Sequence, residues 1–202
     1  MTKIEDTLHK WFVKSEQIPP VRVRTLSREK LMEMMGDSGF TKGAEIGVDR
    51  GTFSKVMLDA MPEMQLLLVD PWRDTEMYPE KGEERFATTK KRLDKYGSRC
   101  IYDRRTSLES VRDVEDGSLD FVYIDGNHTF DFAMTDIIVW ASKVREGGII
   151  SGHDYYRFKR AGVVEAVDVY IKMHEVGEWF ITDYLKDRTP SWFWVKGKNR
   201  WS

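Results

Sequence analysis

The spacing of apolar positions changes character repeatedly along the chain. After Ser27, a natural helix cap, Arg28 to Met35 carries apolar residues at helical spacing as far as Gly36, which predicts a first helix. Gly43-Ala-Glu-Ile-Gly-Val48 is a short apolar run ending in glycine, and Thr52 to Met61 has helical periodicity up to Pro62, giving strand, glycine turn and helix. Gln65 to Asp70 is apolar without alternation, the mark of a strand buried on both faces. The alternation continues through a helix over Glu83–Tyr96, a strand at Cys100–Tyr102, a short helix over Leu108–Val114 and a strand at Leu119–Asp125. It goes on with a helix over Phe130–Val144, a glycine-entered strand at Gly147–Gly152 and a helix over Val163–His174. In this last helix Val163, Val164, Ala166, Val167, Val169 and Tyr170 form the expected core stripe. Strands that alternate with helices require right-handed crossovers and a parallel sheet. The final stretch differs, because Trp179–Thr182 and Ser191–Lys196 read as strands with no helix between them and predict an antiparallel hairpin at the sheet edge. The sum is an α/β protein with a doubly wound, mostly parallel seven-stranded sheet, helices on both faces and an antiparallel C-terminal hairpin. The pair Pro19-Pro20 marks off residues 1–25 as an N-terminal arm, leaving 26–202 as one domain.

Composition narrows the choice of partner. The chain has 202 residues, enough for one domain with a substantial core, and its formal net charge of −2 gives no electrostatic reason to expect nucleic acid or a membrane surface. A small or neutral substrate fits better, and a homodimer is compatible with this balance. Cys100 is the sole cysteine, the first residues lack a secretory apolar stretch, and no run has the length of a membrane span, which together predict a cytoplasmic protein.

The first strand–turn–helix unit is the candidate ligand site. Gly47 and Gly51 let backbone approach a ligand closely, and Asp70, ending the second strand about 20 residues further on, is placed to bind ribose hydroxyls. Those features suit a dinucleotide equally well. Glu45 and Asp49 bracket Gly47, however, and two carboxylates at a helix N-terminus repel the pyrophosphate that such a turn otherwise attracts. S-adenosylmethionine carries a sulfonium and an ammonium and no phosphate, so the acids favour it.

Glu45-Ile-Gly-Val-Asp-Arg-Gly51 resembles the first motif of class I S-adenosylmethionine-dependent methyltransferases, of the catechol O-methyltransferase-like and methyltransferase family 24 type, with Asp49 where many members have a middle glycine. The resemblance runs from about Gly43 to Val195 and includes Asp70 after the second strand and Asp125 after the fourth. It implies a Rossmann-like fold. It also implies that Glu45 and Gly47 approach the methionine part of the cofactor, Asp70 the ribose, and the Arg105-Thr106-Ser107 turn the adenine. A helix-cap role for Thr106 and Ser107 is the plain alternative.

Methyl transfer asks a protein for alignment and, with an oxygen nucleophile, for removal of a proton. Two polar clusters follow neighbouring strand ends, Asp125-Gly-Asn-His128 and His153-Asp154-Tyr155. His128, which titrates near neutrality, is the candidate general base, with Asp125 beside it. The clusters also resemble the magnesium site of catechol-type O-methyltransferases, which implies a divalent metal on Asp125, His153 and Asp154, with His128 standing where those enzymes keep a lysine base. A mixed Asp/His set suits a transition metal better than magnesium. A purely hydrogen-bonded Asp/His pair is the alternative.

Specificity is expected from Trp72–Arg85, read as too polar for the core, and from the aromatic C-terminal hairpin containing Trp179, Trp192, Trp194 and Trp201, which either lines a pocket or packs an edge. The leading expectation is methyl transfer from S-adenosylmethionine to a hydroxyl, less readily an amine, of a small molecule or saccharide. A nicotinamide-dependent oxidoreductase, a metal-dependent enzyme on the same fold and a non-catalytic binding module are the alternatives.

Overall fold

The computed structural model describes residues 19–74, 79, 81–182 and 189–197. Among these residues one sheet of eight strands forms: β1 (Val21–Val23), β2 (Lys42–Ile46), β3 (Gln65–Val69), β4 (Cys100–Asp103), β5 (Leu119–Ile124), β6 (Val144–Gly152), β7 (Phe180–Thr182) and β8 (Trp192–Val195). Six α-helices accompany it: α1 (Arg28–Asp37), α2 (Thr52–Ala60), α3 (Gly82–Leu93), α4 (Ser107–Ser110), α5 (Phe130–Ala141) and α6 (Val163–Met173). The strand order is β1-β7-β8-β6-β5-β2-β3-β4. Every pairing is parallel except those of β8, which runs antiparallel to both β6 and β7.

The order reverses between β2 and β5, so that chain leaving β2 turns towards β3 on one side while β5 lies on the other. Open α/β sheets bind ligands in the crevice at such a point, beyond the carboxyl ends of the strands. The two sides of the sheet are separately packed. Phe121 and Tyr123 of β5 point into a core with Met32 and Met35 of α1 and Met57 of α2. Val122 and Ile124 point into the other, with Ile137 and Trp140 of α5 and Val167 of α6. Period-two alternation on a strand covered by helices on both faces lets both sets of side chains be apolar, as in the run Phe121–Ile124.

Three details depart from the pattern. The eighth strand, β1, lies inside the stretch 1–25 set apart as an arm. It pairs in parallel with β7, Val21 facing Phe180 and Val23 facing Thr182, and at three residues it is too short to betray itself by periodicity. The C-terminal hairpin exists, but β8 is wedged between β6 and β7 and β1 lies outside β7, so the hairpin does not form the edge. In α6 the stripe of Val163, Val164, Ala166 and Val167 is buried and continues to Ile171, whereas Val169 falls on the solvent side. Among the described residues no helix is long and apolar enough to cross a membrane.

An inner β8 should be costly to erode. Phe193 is fully buried and stacks on Phe180 at 4.9 Å between ring centroids. Phe193→Ala is expected to lower stability by about 3–5 kcal/mol in chemical denaturation. A loss under about 1 kcal/mol, the cost of trimming an exposed edge residue, contradicts the placement.

Candidate active site

The turn after β2 is built from backbone that only a few residue types tolerate. Gly47 has φ 90°, and a Cβ there would stand 2.2 Å from the carbonyl oxygen of Asp125. Side-chain absence at Gly47 is therefore what allows the β2 turn and the β5 end to touch. Their contact is fixed by a hydrogen bond from Asp125 N–H to Ile46 O at 2.7 Å, while Gly47 N–H donates to Val69 O of β3 at 2.9 Å on the other side. Gly51, at φ 67°, caps α2 in the left-handed region. Asp49, at φ 52°, does the work of the middle glycine, a conformation that aspartate adopts more readily than most residues.

Asp70 holds this turn in place. Its Oδ2 accepts the N–H groups of Val48 at 3.1 Å and Asp49 at 2.9 Å, and its Oδ1 accepts that of Trp72 at 2.8 Å. Three of the roughly four acceptor sites of a carboxylate are thus engaged with main chain, leaving room for one further donor. The α3 helix braces the same turn from outside. Arg85 Nε lies 2.5 Å from Asp49 Oδ1, and Thr89 donates its hydroxyl to Asp49 O at 2.8 Å, as Trp72 does its indole N–H at 2.7 Å.

The two acids behind the charge argument are not equivalent. Asp49 is neutralised by Arg85, so its carboxylate contributes less free negative charge than the sequence suggests. Glu45 is buried within β2 and takes a hydrogen bond from the Ser54 hydroxyl; burial pushes its carboxyl up to about 8, against the lowering effect of Ser54. A cationic ligand would restore its ionisation. Ser54, Arg85 and Thr89 escaped the sequence reading because each is an ordinary polar residue on a helix and only the fold brings it to the turn.

Beyond the ends of β5 and β6, the second cluster converges beside Gly47. His128 Nε2 is 2.6 Å from Asp154 Oδ2 and 3.7 Å from Asp125 Oδ1. His153 Nδ1 is 3.2 Å from Asp154 Oδ1 and 3.8 Å from Asp125 Oδ1, while its Nε2 lies 3.3 Å from the Thr189 hydroxyl. Thr189 also donates to Asp154 Oδ1 at 2.5 Å, and Asp154 sits in the left-handed region at φ 57°. Asp125 and Asp154 lift the His128 imidazole to about 10. Burial opposes the charge on His153, but Asp154 and Asp125 outweigh it and raise that imidazole too. Burial by itself would raise the Asp154 carboxyl; His128, His153 and Thr189 reverse this and hold it well below the usual range. Both acids thus favour the charged imidazolium of His128, which works against its taking a proton from a substrate in this arrangement. Asp125, His128 and Asp154 each offer an atom within 4.8 Å of the others, a spacing able to hold a metal, whereas the expected set had His153 in place of His128.

The remaining sites are mostly occupied by structural work. Thr106 caps α4 in a reciprocal capping box with Glu109. Ser107 donates to the buried Asp136 at 2.5 Å and accepts from Trp140 Nε1 at 2.8 Å, tying α4 to α5. The segment Trp72–Arg85 is not uniformly polar surface, since both ends are buried; residues 75–78 and 80 lie outside the described residues. Trp179, Trp192 and Trp194 are buried, so they pack the sheet; Trp201 lies outside the described residues.

Residues 44–155 match the model of a family described as a methyltransferase domain. Over 86 residues the chain is 28% identical to uncharacterized protein y4gI of Sinorhizobium fredii, and the match spans 43% of this chain but only a tenth of that protein's length. Three solved structures share the fold. Cofactor-bound Rv0187 from MTB aligns with a TM-score of 0.64 at 14% identity, covering 97% of this chain and 90% of that one. An O-methyltransferase from Bacillus cereus, in complex with SAH, gives 0.60 at 12% identity over 97% and 91%. The O-methyltransferase TomG of Streptomyces achromogenes, involved in tomaymycin synthesis and in complex with SAM, gives 0.58 at 14% over 96% and 88%.

Two outcomes follow from this geometry. Asp70→Ala strands three main-chain donors and should cost about 2–4 kcal/mol in denaturant unfolding; a neutral effect would show that the turn stands without it. The folded pKa of His128, about 10, lies above its unfolded value near 6.5. Its stabilisation is therefore complete below 6.5 and fades as pH climbs towards 10. The difference in melting temperature between the parent and His128→Asn should shrink over that window in calorimetry, and a constant difference would refute the ion pair.

Proposed function

Because the chain belongs to the methyltransferase domain family, we propose that it moves a methyl group from S-adenosylmethionine to a hydroxyl, less readily an amine, of a small molecule or saccharide. The observation that carries this reading is the junction at the β2/β5 crevice, where the Gly47 turn, buried Glu45 and the polar cluster headed by Asp125 meet. The donor supplies a methyl group made electrophilic by its sulfonium, so the chain's task is to align the partners and manage the acceptor's proton.

In this reading Gly47 and Gly51 admit the cofactor to main-chain contact, and Glu45 faces its positive end. That assignment suits a carboxyl group raised to about 8 by burial, since a neighbouring cation favours the ionised form. Asp70 keeps the turn in shape and spends its remaining acceptor site on the ribose. Asp125 stands between cofactor and acceptor, and the loop of Thr106 and Ser107 borders the adenine. Asp125, His128, His153 and Asp154 form the acceptor side. The B. cereus protein and TomG, both O-methyltransferases crystallised with SAH or SAM, support oxygen as the acceptor atom.

Thermal-shift titration tests the reading. S-adenosylhomocysteine at 100 times its dissociation constant adds about 2.7 kcal/mol to the folded state, a rise of several degrees, whereas NAD should give none. Glu45→Gln should keep the fold and weaken S-adenosylhomocysteine binding by about tenfold, in line with loss of one charge-assisted contact. A shift with NAD and none with S-adenosylhomocysteine would favour the oxidoreductase and end the proposal.

A further inference from the structure

The polar cluster contains two imidazoles, and their surroundings differ. Both nitrogens of the His153 ring have protein neighbours, Asp154 Oδ1 at 3.2 Å on one side and the Thr189 hydroxyl at 3.3 Å on the other. That ring, with Thr189, orients one oxygen of Asp154. The other oxygen, Oδ2, turns towards His128 Nε2. This nitrogen is shut off from solvent and lies 2.6 Å from the carboxylate without the alignment of a hydrogen bond. It also faces Asp125 Oδ1 at 3.7 Å.

Donor atoms bound to one metal at about 2.1 Å stand roughly 3.0–3.4 Å apart, for angles between square and tetrahedral. The separations of 2.6 and 3.7 Å from His128 to the two carboxylates bracket that range, and ligand atoms of His128, Asp125 and Asp154 all lie within 4.8 Å of one another, close enough to share one centre. The supports of these groups are firm. His128 O accepts the Gly162 N–H at 2.7 Å, the Asn127 side chain accepts the Thr129 N–H at 3.0 Å, and Trp192 Nε1 donates to His153 O at 3.0 Å.

We propose that His128, and not His153, completes with Asp125 and Asp154 a site for a divalent transition metal, His153 acting as a positioning residue for Asp154. Two carboxylates and an imidazole favour zinc, cobalt, iron or manganese over magnesium, which keeps to oxygen and gives up water reluctantly. His128 is then a ligand, with its lone pair committed to the metal, and not the general base. The inference deepens the methyltransferase reading by placing the ion on the acceptor side, and it rests on that reading only for its biological use.

Isothermal titration of the purified full chain with cobalt(II) and with magnesium, without cofactor, should show cobalt binding at least about a hundredfold more tightly. His128→Ala should reduce cobalt affinity by at least about tenfold, and His153→Ala by less. Because either variant could misfold, a second measurement uses the unaltered protein. On addition of zinc, nitrogen-15 NMR of labelled histidine should move Nε2 of His128 into the range of metal-bound imidazole and leave the His153 ring nitrogens uncoordinated. Coordination through His153, an unshifted His128 signal, or equal affinity for magnesium overturns the proposal. A normal S-adenosylhomocysteine shift alongside any of these results would confine the failure to the metal assignment; loss of that shift as well would bring down the methyltransferase reading.

Discussion

The contact between Gly47 and the carbonyl of Asp125 is the constraint around which the rest is arranged. A single methyl group at position 47 would lie 2.2 Å from that oxygen, so the sheet can bring the β2 turn against the β5 end only while this position is bare. The closeness joins two pieces of chemistry that lie nearly 80 residues apart in sequence. In the proposed function the turn receives the cofactor through main chain, and the strand end presents Asp125 to the acceptor that reacts with it. Parallel pairing of β2 with β5, Glu45 opposite Tyr123 and Ile46 opposite Ile124, sets the register that makes the contact.

Polar groups near the crevice divide into those that maintain it and those left over for chemistry. Asp70 spends most of its capacity on the main chain of Val48, Asp49 and Trp72. Asp49 spends its charge on Arg85, and Ser107 serves Asp136, whose buried carboxyl is raised to about 6. Glu45 differs, since burial has raised its pKa and the hydroxyl that donates to it, that of Ser54, is neutral. A buried acid kept partly protonated is a reserve of negative charge that a cation can call out. Under the proposed function, that negative charge would appear with the arrival of the cationic cofactor.

The alternation of apolar runs made the sheet and its helices readable, because a strand covered on both faces, such as Gln65–Val69 or Leu119–Ile124, leaves a short apolar run bounded by polar turns. The glycine turn and Asp70 were legible because spacing fixes them relative to strand ends. What spacing could not supply was direction. Nothing in the sequence distinguishes the Asp49 carboxylate facing a ligand from one paired with Arg85 on α3, or His128 as a lone base from His128 wedged between two acids. Strand β1 was hidden for a different reason, since three residues are too few to establish a period, and its pairing with β7 depends on geometry set elsewhere. Buried Trp72 and Arg85 belong to the same class, closing over the turn from a segment whose composition suggested only surface.

The position of β8 carries a consequence for assembly. It lies between β6 and β7, and β7 in turn is the described neighbour of β1, so the first of the described strands joins the rest of the sheet only after the last of them has entered it. On a ribosome, that half of the sheet has to wait with an open seam beside β6 until Trp192–Val195 emerges. Pairing over such a sequence distance is slow in general, and an unpaired strand edge is a place where a partly folded chain can associate with others.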